Sequence, residues 1–223
     1  MKKKLWTAVD SYIAGKLAPT DAALDAAVAA NAAAGLPAID VTANQGKLLH
    51  LLALGMRARK ILEVGTLGGY STIWLARALP PKGKLVTLEV NAKHAAVATE
   101  NLKRAGLARR VEIRLGPAAK SLAQLHAEGA APFDFIFIDA DKQNIPAYLK
   151  WALKLARVGS MIVIDNVVRD GAILDAASAD ESVKGARAMF AMLSKQRRLS
   201  ATAIQTVGAK GYDGFALALV VSE

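Results

Sequence analysis

Three segments of the chain bring acids or glycines to the ends of apolar runs, where reactive side chains can be aimed into one space. Ile61-Leu62-Glu63-Val64 runs into Gly65-Thr66-Leu67-Gly68-Gly69-Tyr70-Ser71. Phe135-Ile136-Phe137-Ile138 runs into Asp139-Ala140-Asp141-Lys142, and Met161-Ile162-Val163-Ile164 into Asp165-Asn166. If the last two runs are adjacent strands, Asp139, Asp165 and Asn166 converge. Two carboxylates and an amide oxygen form a hard, all-oxygen donor set. It suits Mg²⁺ first, with Mn²⁺ and Ca²⁺ as alternatives, and leaves positions open to water or substrate. Each turn also has a plainer reading. Asp165-Asn166 can be a turn whose side chains cap the next backbone groups. The segment 139–142 can be an exposed loop with an ion pair between Lys142 and Asp141. Their occurrence together, beside a glycine turn, favours function. His50, His94 and His126 lack metal-ligand spacing, so zinc is not expected.

Gly65, Gly68 and Gly69 follow the first apolar run and open a helical segment. Open α/β sheets bind nucleotides at this place, because glycine lets backbone N–H groups come close to the ligand. Glu89 ends the next apolar run, 24 residues after Gly65. A carboxylate there can accept both hydroxyl hydrogens of a ribose. The glycines read G-x-x-G-G rather than the G-x-G-x-x-G of dinucleotide sites. Glu63, two residues before the first glycine, would repel a pyrophosphate. It suits S-adenosylmethionine, which has no phosphate and carries a sulfonium and an ammonium group. That cofactor is expected over NAD. A non-enzymatic nucleotide-binding module is the reading that Glu63 and the two acidic turns argue against.

The elements that must position these residues are legible in the hydropathy. From Lys60 onward, apolar runs at Ile61–Val64, Leu85–Leu88, Val111–Leu115, Phe133–Ile138 and Met161–Ile164 alternate with segments of helical period at Ser71–Leu79, Ala92–Ala105, Ala118–Glu128 and Ile145–Ala156. Continuous apolar runs mark strands buried on both faces, as in parallel sheets, and the alternation predicts a doubly wound, Rossmann-like α/β fold. A helix follows Asp180 to about Lys195. Strands near Ala201–Val207 and Phe215–Val221, with Gly208, Gly211 and Gly214 between them, predict an antiparallel ending. The first forty residues read as a helical arm. Thr20 or Asp21 caps a helix to Ala34, and Thr42 with Gln45 forms a capping box before Leu48–Leu54. No internal repeat, linker or second domain is visible, so residues 1–223 read as one domain.

The chain's 223 residues are 53% hydrophobic and only 5% aromatic, so small aliphatic side chains must fill the core. With no cysteine, disulfides, thiolate metal sites and Cys nucleophiles are excluded, and a reducing cytoplasm is the expected compartment. Asp10, Lys16, Asp21 and Asp25 interrupt any apolar core behind Lys2-Lys3-Lys4, which argues against a signal peptide. The Ala26–Ala34 run is too short to span a bilayer, and no membrane partner is expected. The formal charge of +10 admits either a solvated surface or a polyanionic partner. Its Lys and Arg fall in short clusters where helices end, which fits the former.

Taken in order and spacing, EVGTLGGYST, FIDADKQNIPAY and VIDNVV resemble the metal-dependent O-methyltransferases related to caffeoyl-CoA and catechol O-methyltransferases, in particular small bacterial members. The likeness runs from about Tyr12 to Val221. It implies a seven-stranded sheet with an antiparallel last strand, a homodimer, and an N-terminal arm (1–40) that closes the acceptor site. It also implies roles. Asp139, Asp165 and Asn166 match the metal ligands. Glu89 matches the ribose acid, and Glu63, Gly65, Thr66 and Ser71 the motif around the methionine part of the cofactor. Val41 and Ala118 match residues lining the cofactor, and Asp139 and Asp141 match acids that contact it. Lys142, beside Asp139, matches a proton-accepting lysine. A salt bridge to Asp141 is the alternative for Lys142. The expected acceptor is a small catechol-like aromatic with vicinal hydroxyls. A hydroxylated base in tRNA is the alternative, kept open by the net charge. One departure stands out: where plant members carry an aromatic and an Asn after the Asp-Asn pair, this chain has Val167-Val168-Arg169-Asp170-Gly171. Their acyl-CoA recognition therefore does not carry over.

Overall fold

Strands whose side chains are apolar on both faces need a layer of helices on each side. A computed structural model, which describes residues 2–223, shows that arrangement. In chain order the elements are α1 (Lys2–Leu17), α2 (Ala22–Ala33), α3 (Ala43–Gly55), β1 (Lys60–Val64), α4 (Tyr70–Arg77), β2 (Lys84–Glu89), α5 (Ala92–Arg104), β3 (Val111–Leu115), α6 (Ala118–Ala127), β4 (Phe133–Ile138), α7 (Ile145–Leu155), β5 (Ala156–Asp165), α8 (Glu181–Leu193), β6 (Leu199–Gly208) and β7 (Gly211–Val220). They build one seven-stranded sheet in the order β3-β2-β1-β4-β5-β7-β6. Neighbours from β3 to β5 are parallel, and β7 runs antiparallel between β5 and β6.

Strand alternation divides the core in two. Leu62, Val64, Ile136, Ile138, Ile162 and Ile164 face α6, α7 and α8. Ile61, Leu85, Phe135, Phe137 and Val163 face the opposite layer, which α2 to α5 build. Glu63 falls on this second face and is fully buried. The order reverses at β1, where β2 and β4 lie on either side. Cofactor clefts open at such a switch point, at the carboxyl ends of the strands.

Capping fixes several helix starts. Asp21, not Thr20, caps α2 through the N–H groups of Ala23 and Leu24. The Thr42 hydroxyl accepts from Gln45 N–H at 3.2 Å to start α3. Three expectations need correction. β5 begins at Ala156, five residues before the apolar run. Its polar opening, Arg157 to Ser160, is held by edge contacts: Arg157 N–H donates to Ser160 Oγ and Ser160 Oγ–H to the Phe133 carbonyl. The final hairpin turns only at Ala209-Lys210, so Gly214 lies inside β7 rather than in the turn. There a Cβ would overlap the Ile204 carbonyl of the paired strand. α4 ends at Arg77, not Leu79. α1 is tied down by Asp10, which accepts from Asn44 Nδ2 at 3.0 Å and from Ala209 N–H at 2.8 Å. Among the described residues no helix is long and apolar enough to cross a membrane.

Candidate active site

The glycine turn begins where β1 ends. Gly65 has φ +100°, and a Cβ there would overlap the Asp139 carbonyl, so β1 and β4 can approach this closely only with glycine. Leu67 and Gly69 are also left-handed, which folds the turn back into α4. Its shape is held by two carboxylates. Glu89, at the end of β2, accepts from Leu67 N–H at 2.8 Å and Thr66 N–H at 3.3 Å with one oxygen, and from Asn91 N–H at 2.8 Å with the other. Glu63 lies beneath the turn. Ser71 Oγ–H (2.7 Å), Thr72 Oγ1–H (2.5 Å) and Thr87 Oγ1–H (2.7 Å) all donate to it. Because Thr87 gives its hydrogen to Glu63, the 2.6 Å contact between Thr66 and Thr87 must run from Thr66 to Thr87. Burial pushes the Glu63 carboxyl up to about 7 against these three donors.

Above the turn lies a cavity of about 890 Å³. That volume is within the ~300–1,000 Å³ of small-molecule sites. Val41, Gly65, Thr66, Ser71, Glu89 and Ala118 line it, and so do Asp139, Asp141, Lys142 and Asn166. Glu63 does not. It is joined to the cavity wall through the Ser71 hydroxyl and, by way of Thr87, through the Thr66 hydroxyl. Its charge is a property of the layer under the turn. Asp40, which lines the same cavity, was not singled out from sequence. Burial raises its pKa, against a 2.8 Å hydrogen bond from Asn31. The signal available was an acid directly before Val41. Tyr148 is a second omission. Burial raises its phenol, and so does Asp141, to which it donates at 2.5 Å.

The donor set assembles as adjacent parallel strands require. Ile138 of β4 is opposite Ile164 of β5, so Asp139 stands beside Asp165 and Asn166. Asp165 is 5% exposed. Burial raises its pKa, and the charge of Asp139 adds to this, while Lys142, Asn166 N–H and the Gln45 amide oppose it. Asn166 sits at φ 55°, a conformation Asn tolerates better than most residues. A second cavity of about 290 Å³ meets the first at Asn166. Asp165 lines this one, with Asp10, Gln45 and Tyr212.

Lys142 does not pair with Asp141. Its Nζ is 2.6 Å from Asp139 Oδ1. Asp141 is engaged by Tyr148 and by Asn144 instead. The expected local ion pair is therefore redirected onto the donor set, because the 3₁₀ turn at Lys142–Asn144 swings the lysine back over the strand end. Among the described residues no three acids, histidines or cysteines cluster as a metal centre. Two carboxylates and an amide remain. They fit a hard divalent cation that keeps open coordination positions, and such a cation would offset the repulsion between Asp139 and Asp165.

A family model described as O-methyltransferase matches residues 18–219. The chain is 54% identical over 220 residues to a catechol O-methyltransferase of Niastella koreensis, covering 99% of this chain and all of that one. It superposes with a TM-score of 0.96 on the O-methyltransferase from Bacillus cereus in complex with SAH, at 55% identity and 98% and 99% coverage. The O-methyltransferase TomG from Streptomyces achromogenes, involved in tomaymycin synthesis and solved in complex with SAM, gives 0.97 at 50% identity over the full length of both chains.

Proposed function

Given that the chain belongs to the O-methyltransferase family and uses S-adenosylmethionine, we propose that it methylates one of two vicinal hydroxyls of a catechol-like small molecule, with a divalent cation held by Asp139, Asp165 and Asn166. One observation carries this reading. The β4–β5 register sets the all-oxygen donor set at the edge of the cavity that the glycine turn lines. S-adenosylmethionine supplies an electrophilic methyl on sulfur, and Mg²⁺, when bound, lowers the pKa of an acceptor hydroxyl and fixes its direction.

The chain's own residues do the rest. Glu89 faces the cofactor ribose from a carboxylate fixed by three backbone N–H groups. Ser71, anchored on Glu63, presents its hydroxyl oxygen to the methionine end. Lys142 Nζ, ion-paired with Asp139 here, takes the acceptor's proton once it has left that pair and given up its own. Asp10 of α1 lines the smaller cavity, which fits an N-terminal arm beside the acceptor. The basic surface supports RNA less well. Arg77, Arg114 and Arg157 are paired with acids away from the cavity. The same proposal includes the homodimer, for which α1 offers an exposed stripe of Leu5, Val9, Tyr12, Ile13 and Leu17.

The test is methyl transfer to catechol with Mg²⁺. Excess EDTA should abolish it and added Mg²⁺ restore it. Asp165→Ala should lower kcat by at least about 100-fold, while calorimetry shows S-adenosylhomocysteine binding within about threefold of wild type. Full activity in EDTA would remove the metal from the reading. Labelling of tRNA rather than catechol would replace the acceptor.

A further inference from the structure

The loop that leaves β5 carries a cation that the reading above does not use. Arg169 lies three residues beyond Asn166 and lines the large cavity. Its backbone is left-handed (φ 55°) and fixed from outside: Asp213 Oδ1 accepts from Val168 N–H at 2.9 Å and Arg169 N–H at 3.0 Å. Asp213 Oδ1 also takes Gly214 N–H at 2.9 Å, so this carboxylate is largely committed to backbone. The guanidinium has five donors, yet among the described residues none makes a hydrogen bond to protein. Its nearest acid is Asp213, with Nη1 3.7 Å from Oδ2, beyond hydrogen-bond reach. Nε is shut off from solvent and unpartnered. Buried donors are ordinarily satisfied, and a planar fork of this kind matches a carboxylate. Lys142, the other extended cation on the cavity wall, is already taken by Asp139.

We propose that Arg169 selects the acceptor: the preferred substrate is a vicinal dihydroxy aromatic that carries a carboxylate, bound by the Arg169 guanidinium while the hydroxyls face Asp139, Asp165 and Asn166. This rests on the catechol reading of the site. The sheet order separates the partner from the cofactor. Arg169 follows β5, whereas the glycine turn follows β1, with β4 between them. The cofactor's own carboxylate belongs near Ser71, on the far side of the donor set.

The experiment compares kcat/KM for 3,4-dihydroxybenzoate, catechol and the cationic 3,4-dihydroxyphenylethylamine with Mg²⁺ and S-adenosylmethionine, in wild type, Arg169→Lys and Arg169→Gln. Calorimetry follows 3,4-dihydroxybenzoate and S-adenosylhomocysteine binding to each protein. Wild type should favour the carboxylated acceptor over catechol by about tenfold or more, mostly in KM, and the amine least. In Arg169→Gln that ratio should collapse to about one, with Arg169→Lys between. The affinity for 3,4-dihydroxybenzoate should fall by a similar factor. The ratio does not depend on the fraction of folded enzyme. Catechol turnover with no preference for the carboxylate overturns this inference alone. Equal losses of S-adenosylhomocysteine and 3,4-dihydroxybenzoate affinity overturn it as well, since Arg169 would then serve the cofactor. Failure of wild type to methylate any of the three acceptors overturns the catechol reading beneath it.

Discussion

A carboxylate with no exposed surface, as at Glu63, must be held by hydrogen bonds or be neutral. Glu63 has three hydroxyl donors, and its carboxyl still rises to about 7 from an ordinary value of 4.5. The folded state therefore binds the proton more tightly than the unfolded chain. Stability from this group is full below about pH 4.5 and is lost as pH rises to about 7, by up to about 3 kcal/mol at ~1.4 kcal/mol per pKa unit. Glu63→Gln removes the titration, so thermal unfolding scans between pH 5 and 8 should show a flatter profile than wild type. A variant that keeps the full wild-type slope would place the titrating group elsewhere. The acid itself was legible from sequence. Its direction was not, because strand alternation decides which face a residue takes only once the sheet is paired.

At the scale of elements, the glycine turn is where β1, β4 and α4 meet. Gly65→Ala combines a left-handed φ with an overlap on the Asp139 carbonyl. It should cost about 1–3 kcal/mol of stability and push the donor set away from the turn. The expected outcome is a lowered melting temperature together with at least about tenfold weaker S-adenosylhomocysteine binding by calorimetry. Unchanged affinity would mean that the turn is not the cofactor's seat. Apolar runs located β1, β2, β4 and the inner part of β5, which are buried on both faces and hold few polar positions, whereas β3, at the sheet edge, alternates Glu112 and Arg114 with apolar residues. The same rule missed the start of β5 and placed Gly214 in a turn. In both places a polar or glycine residue is satisfied by an adjacent strand: Ser160 by the Phe133 carbonyl, Gly214 by the close approach of Ile204.

For the whole molecule, the exposed apolar stripe along α1 is the surface on which the proposed second copy would pack. Analytical ultracentrifugation should give twice the 23.4 kDa chain mass, and Leu17→Asp should shift it toward one chain mass. A monomer at micromolar concentration would refute the dimer. The sequence by itself determined the layered α/β architecture and the cofactor class, and it singled out the residues proposed as donors, because hydrophobic period and turn chemistry are local properties. Tertiary structure alone decided which groups meet. The β4–β5 register brought Asp139 to Asp165, and the turn after Asp141 gave Lys142 to Asp139 rather than to its neighbour. The Asp213 clamp on its backbone left the guanidinium of Arg169 only a loose ion pair, 3.7 Å from the other Asp213 oxygen. Asp139 and Asp165, like Asp213 and Arg169, lie far apart in the chain, and even the Lys142–Asp139 pair, three residues apart, depends on a turn geometry that hydropathy does not encode.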